Sequence, residues 1–458
     1  MEELKTSRAV SRRRFLALAA STAGGAILAA CGQETPGPTS AAPEATPTAE
    51  PKPTEAEAWT MTFASVIGEG YPFYEARKEL WEEWQESHPN VKIDYEYIPY
   101  DQFQQQLVTR ALAGDAPHLA QAGYQTAQFA SADLLVEITP YIERDNIDLD
   151  NWWPALIEIA KFDDKIWAAP FTIDTRFTYV NPGLYEEAGL EYPETWDDVL
   201  ASAESFRDLD AHSVAMVMTG DMLGIWQTGA SLIKQTGSDF IKVNPDGTAS
   251  ANLDTKEAVE MIEYLLALQE ASAVPESFLT DSSGECESAF AQERVASYPI
   301  GNWMIGVFKG WREEGTMEFE EECIHHPIKR QKGAAAGGWD WYIFKTIKDP
   351  NVGWDFVSFF LKDENINRGW ADGLSPTKSG METSFYTSEP KNAFVSEVME
   401  YSTWPVPPVA GWSEIMPVIW KNVMKANSGQ MSPEAAMKEG QVEVQRLLDE
   451  GHNKLLTG

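Results

Sequence analysis

The sequence carries 17 Trp and 15 Tyr, and several of them stand beside planar polar side chains in segments bounded by Gly or Pro. A sugar ring presents C–H faces that pack on aromatic planes, and its hydroxyls pair with Asp, Asn, Gln or Arg. That combination points to non-covalent capture of a polyol. The densest instance is Gly338-Trp339-Asp340-Trp341-Tyr342, preceded by Gly337, and the two glycines allow close backbone approach. Asn302-Trp303 follows the strand-like run Val295–Ile300. Asp174 and Arg176 can bracket a polyol or pair with each other. Trp226 lies between Gly224 and Gly229, and Trp412 follows a Pro/Gly-rich stretch. Glu69, Tyr71 and Tyr124 sit in loops after predicted strands. The competing reading for each Trp is core packing, and Trp81, Trp84, Trp354 and Trp370, on helical patterns, take it.

Covalent and metal chemistry have no comparable signature. The chain has no Gly-x-Ser-x-Gly, no His-Glu-x-x-His and no P-loop. Paired carboxylates of a secreted glycosidase are weak evidence in a chain with 71 Asp and Glu. Cys323-Ile-His325-His326 matches no standard zinc spacing and reads as a solvated loop. Asp145, Asp148 and Asp150 lack the glycine of a calcium loop. We therefore expect no enzyme activity, no metal and no cofactor. Against the acids stand 35 Lys and Arg, a net charge of −36, which excludes a nucleic-acid partner because phosphate binding needs clustered cations. Cys286 and Cys323 could form a disulfide in an oxidising compartment or remain two thiols.

The elements that must position these residues begin after an address. Arg12-Arg13-Arg14 followed by the small and apolar run Phe15–Ala30 reads as a signal peptide, residues 1–30. Its Ser11–Leu16 segment resembles a twin-arginine export signal, and Leu28-Ala-Ala-Cys31 resembles a lipobox, with Cys31 acylated. Residues 31–58 are rich in Pro, Thr, Ala and Glu and read as a disordered tether. Trp59–Ser65 alternates as a strand, Pro72–Ser87 carries Leu80, Trp81 and Trp84 on one helical face, and Val91–Ile98 is a second strand. Asp101 is expected to cap the next helix, and His118–Ala122 is a third strand. Alternating strand and helix implies a parallel α/β lobe, whose ligands sit at the carboxyl ends of strands. Thr195 with Asp198 and Asp254 with Glu257 read as capping boxes.

The ordered pieces resemble family 1 extracellular solute-binding proteins of bacterial ABC importers, a maltose-binding-protein-like group. They are Gly114-Asp-Ala-Pro-His118 (with His118 where Asp is usual), Ala169–Asn181, Leu184–Leu190, Pro193–Asp198, Phe290–Trp303, Gly337-Gly338, Lys348–Trp354, Gly373–Thr377 and Ser432-Pro-Glu434. The resemblance implies an α/β, two-lobe periplasmic-binding-protein fold (type II-like), each lobe a mainly parallel sheet flanked by helices. It implies three hinge crossings, near 171–175, 334–337 and the mid-380s, with lobe I at 59–173 and 336–387 and lobe II at 174–335 and 388–458. It places a cleft aromatic at Trp303 and another near Trp412. The implied function is capture of a sugar, oligosaccharide or sugar alcohol by hinge closure and delivery to the permease's transmembrane subunits. The protein would act as a monomer on the outer face of the plasma membrane, held by its lipid anchor. A non-sugar solute such as a polyamine is the alternative, and a secreted glycan-active enzyme a more distant one.

Overall fold

The computed structural model describes residues 57–69, 74–123, 125–209, 214–220, 224, 228–246, 248–369, 374–405, 407, 409 and 412–450. The signal, Cys31, most of the tether, Tyr71, Tyr124 and Trp226 lie outside the described residues.

Three N-terminal strands are parallel, as the strand–helix alternation implies. Strand β1 (Trp59–Ser65) lies between β2 (Val91–Tyr97) and β3 (Leu119–Ala122). The connecting helices are Tyr74–Ser87 and Tyr100–Ala113. The first buries Leu80, Trp81 and Trp84, and Arg77 with them. The second has Pro99 at its N-cap, not Asp101, and no side-chain cap. His118 accepts the Thr62 amide on Nδ1 at 2.9 Å; a neutral imidazole thus makes a bond that a carboxylate could make at that position.

The chain then runs into β4 (Ala168–Val180), 13 residues long and buried throughout. Three shorter strands follow: β5 (Val214–Met216), β6 (Val295–Gly301) and β7 (Glu322–Ile324). Then come the long β8 (Ala334–Ile343) and the short β9 (Ser402–Thr403). The sheet order is β2-β1-β3-β8-β4-β6-β5, with β7 on β4 and β9 on β8. The sheet is mixed, because β8 joins β3 antiparallel, and β4 joins both β8 and β6 antiparallel.

Two hydrophobic cores flank this sheet. One holds Phe63, Trp81, Phe171, Trp341 and Phe356; the other holds Phe177, Tyr179, Tyr298 and Phe308. Strand β4 gives Phe171 to the first and Phe177 to the second. Strand β8 gives Ala334 and Ala335 to the second and Trp341 to the first. The third passage falls between Tyr386, in the first core, and Val395, in the second. The fold is thus two α/β lobes joined by three passes of chain.

Local capping follows sequence in part. Thr195 and Asp198 form the expected capping box. The cap before Ala258 is Thr255 and not Asp254; a hydroxyl one residue later reaches the Ala258 amide. The segment around Cys323 is not a solvated loop. It pairs antiparallel with Tyr179 and its neighbours in β4, and Glu321 beside it is fully buried between Arg312 and Lys391. His326 is buried too, its Nδ1 2.9 Å from the Thr178 hydroxyl. Burial first, then His325 and Arg176, hold it neutral with a pKa of about 3. No disulfide joins Cys286 and Cys323: each keeps its thiol, Cys286 buried in the helix Ser283–Ala291 and Cys323 in β7. Among the described residues no group of His, Cys, Asp or Glu is placed to hold a metal, and no helix is long and apolar enough to cross a membrane.

Candidate functional site

Strand β4 changes partners where it leaves one core for the other. Up to Thr175 it pairs with β8; from Arg176 onward it pairs with β6 and then also β7. Asp174 and Arg176, two residues apart, point to the same side at this switch and form an ion pair with both side chains buried. Gly337 stands opposite Asp174 in register. A Cβ there would lie 2.3 Å from both Asp174 Oδ1 and Arg176 Nη1, so the pair occupies space that only glycine leaves.

On the other flank Gly301 stands opposite Arg176. The Trp303 ring folds back over it, so that a Cβ on Gly301 would fall 1.7 Å from the ring. Arg176 Cζ sits 4.9 Å from the centroid of the same ring, an attractive cation–π arrangement. Trp303 remains half-buried. The result is an aromatic plane, a guanidinium and a carboxylate in contact where the chain passes between lobes.

Asn302 is engaged by the backbone of β4. Its Oδ1 accepts the Thr175 amide at 2.8 Å, and its own amide donates to the Thr175 carbonyl at 3.1 Å. It fixes the backbone beneath Trp303. The Thr175 hydroxyl in turn meets that of Ser402 at 2.5 Å, and Ser402 pairs with Ala334 of β8. Two of the passes and the segment after the third are thereby tied at one point. Thr175 and Ser402 escaped sequence reasoning because they meet across 227 residues of chain.

Further along β8, Gly338 (φ +148°) leads into a bulge between Trp339 and Asp340. Trp341 goes into the first core at 1% exposed. Trp339 stays half-buried, edge-on to Phe103 with centroids 6.2 Å apart. Asp340 is fully buried, and neither carboxylate oxygen has a hydrogen-bond partner. Burial pushes its pKa well above the usual carboxylate range.

The remaining candidates are more scattered. Glu69 is exposed in the loop after β1. Trp412 opens the helix Trp412–Asn427, half-buried against the second core. Buried Arg77 was missed: it reaches Gln121 at 3.5 Å and lies 5.2 Å over the Phe171 ring. Its signal was present, a cation in register with Leu80, Trp81 and Trp84 on the apolar face.

Residues 70–366 match the family of bacterial extracellular solute-binding proteins. A diacetylchitobiose-binding protein of Streptomyces coelicolor is 22% identical, covering 79% of this chain and 84% of its own. Among solved structures, the GacH receptor of Streptomyces glaucescens, determined without ligand and with acarbose, superposes with a TM-score of 0.74 at 19% identity, covering 86% of this chain and 99% of its own. A solute-binding protein of Thermotoga lettingae bound to α-D-tagatose gives 0.75 at 18% identity, covering 86% and 100%.

Proposed function

The chain belongs to the bacterial extracellular solute-binding proteins, and on that premise we propose that it captures a sugar, an oligosaccharide or a sugar alcohol between its lobes and hands it to the membrane subunits of an ABC importer. The observation that carries the reading is the half-buried Trp303 plane laid against the Arg176–Asp174 pair at the strand switch. A ring stacks on the indole, and the paired charges, held without conformational freedom, receive its hydroxyls. Trp339 and Asp340 add contacts from β8, where Gly338 lets the backbone come close. Trp412 and Glu69 are further contacts, as are Tyr71, Tyr124 and Trp226, while Asn302 positions the platform. Relatives whose named ligands are diacetylchitobiose, acarbose and tagatose support a polyhydroxylated solute.

Residues 59–173 with 336–387, and 174–335 with 388–458, move as lobes about the three passes. Closing them buries the solute and presents the shape that the permease reads. The protein acts as a monomer, exported by the twin-arginine route and anchored through acylated Cys31.

A thermal-shift screen of sugars, sugar alcohols and polyamines tests the ligand class. A true ligand at 100 times its Kd should add about 2.7 kcal/mol of stability. Shifts from polyamines alone would contradict the carbohydrate reading. For location, Cys31→Ser should move the protein out of the membrane fraction; unchanged retention would refute the anchor.

A further inference from the structure

We infer that the solute carries a protonated amine which Asp340 receives, making it an amino sugar or aminocyclitol and not a neutral polyol. The inference rests on the carbohydrate reading above and adds the ligand's charge. Asp340 stands opposite Ala122, the last residue of β3, at the carboxyl end of the parallel strands, where ligands of α/β sheets bind. It follows the half-buried Trp339 and faces away from Trp341, whose ring fills the first core.

The carboxylate is 0% exposed and both oxygens lack a partner. The other buried acids are matched: Asp174 by Arg176, and Glu321 by Arg312 and Lys391. Among the described residues Asp340 is the one carboxylate buried without a hydrogen bond. Tyr342, two residues on, already bonds the Gln125 amide and the Thr126 hydroxyl, each at 3.0 Å, and buried Gln125 Oε1 also lacks a partner.

A hydroxyl from a neutral sugar offers such a site one donor and no charge. Burial alone favours the neutral acid of Asp340; an ammonium offers three donors and a positive charge that favours the ionised form, and charge-assisted bonds are roughly twice as strong as neutral ones.

Calorimetric titration of the full chain with matched pairs tests this: glucosamine against glucose, and the glucosamine β-1,4 disaccharide against cellobiose. The amine member of a pair should bind at least tenfold tighter, and Asp340→Asn should erase that gap. Should Asp340→Asn fail to fold, the wild-type pairs decide alone. Equal or tighter binding of the neutral members overturns the inference and leaves the carbohydrate reading standing. Binding of spermidine with no sugar, amine or neutral, overturns the carbohydrate reading itself. A preference for amines that survives Asp340→Asn overturns the assignment to this residue.

Discussion

Arg176→Ala should destabilise the ligand-free protein by about 3–5 kcal/mol, the usual cost of breaking a buried ion pair by removing one partner. The reason is asymmetric. The Asp174 side chain is 11% exposed and that of Arg176 6%; the pair's mutual attraction offsets a desolvation cost that the carboxylate alone cannot meet. The substitution also removes the cation beneath Trp303, about 0.5–2 kcal/mol more where the contact is desolvated. Replacing both residues, Asp174→Ala with Arg176→Ala, should recover part of the loss, because no buried charge is then stranded. Denaturant unfolding of the three variants separates these terms. A single variant that unfolds at the wild-type midpoint would show that the pair is solvated and holds neither strand nor platform.

Trp303→Ala should weaken ligand binding about thirtyfold or more, since an aromatic anchor in a desolvated pocket contributes 2 kcal/mol or more. Its effect on stability should be smaller than the roughly 3–5 kcal/mol expected for a fully buried Trp, because Trp303 is half-buried and rests on Gly301 and Arg176. Calorimetric titration and denaturant unfolding read the two quantities independently. Normal affinity in a destabilised protein would assign Trp303 to packing and move the platform elsewhere.

Periodicity made much of this architecture legible. Trp59–Ser65 and Val91–Tyr97 were readable as strands and Leu80, Trp81 and Trp84 as one apolar helix face, although the last three residues of the first strand are all buried. At a spacing of two, Trp339 and Trp341 share a face of a regular strand; both meet the first core, Trp341 inside it and Trp339 at its margin, and the bulge between Trp339 and Asp340 lay beyond reading. What escaped reading depends on partners distant in sequence. Glu321 sits inside the acidic run Glu320–Glu322 and looks like a solvated turn until Lys391, 70 residues on, is brought against it. Cys323 reads as loop because β7 is three residues long and shows no period of its own. The backbone role of Asn302 was hidden for the same reason: its partner is Thr175, 127 residues earlier. Asp340 was visible as a candidate, but no pattern in sequence could show that neither of its carboxylate oxygens would find a hydrogen-bond partner.

The central claim is that a solute is enclosed by two lobes turning about the three passes at Thr175, β8 and the segment after Tyr386. Small-angle scattering of the protein, with and without a saturating ligand taken from the screen, measures that enclosure directly. The account predicts a decrease in radius of gyration that tracks saturation measured by calorimetry. Saturable binding with no decrease in radius of gyration would contradict it.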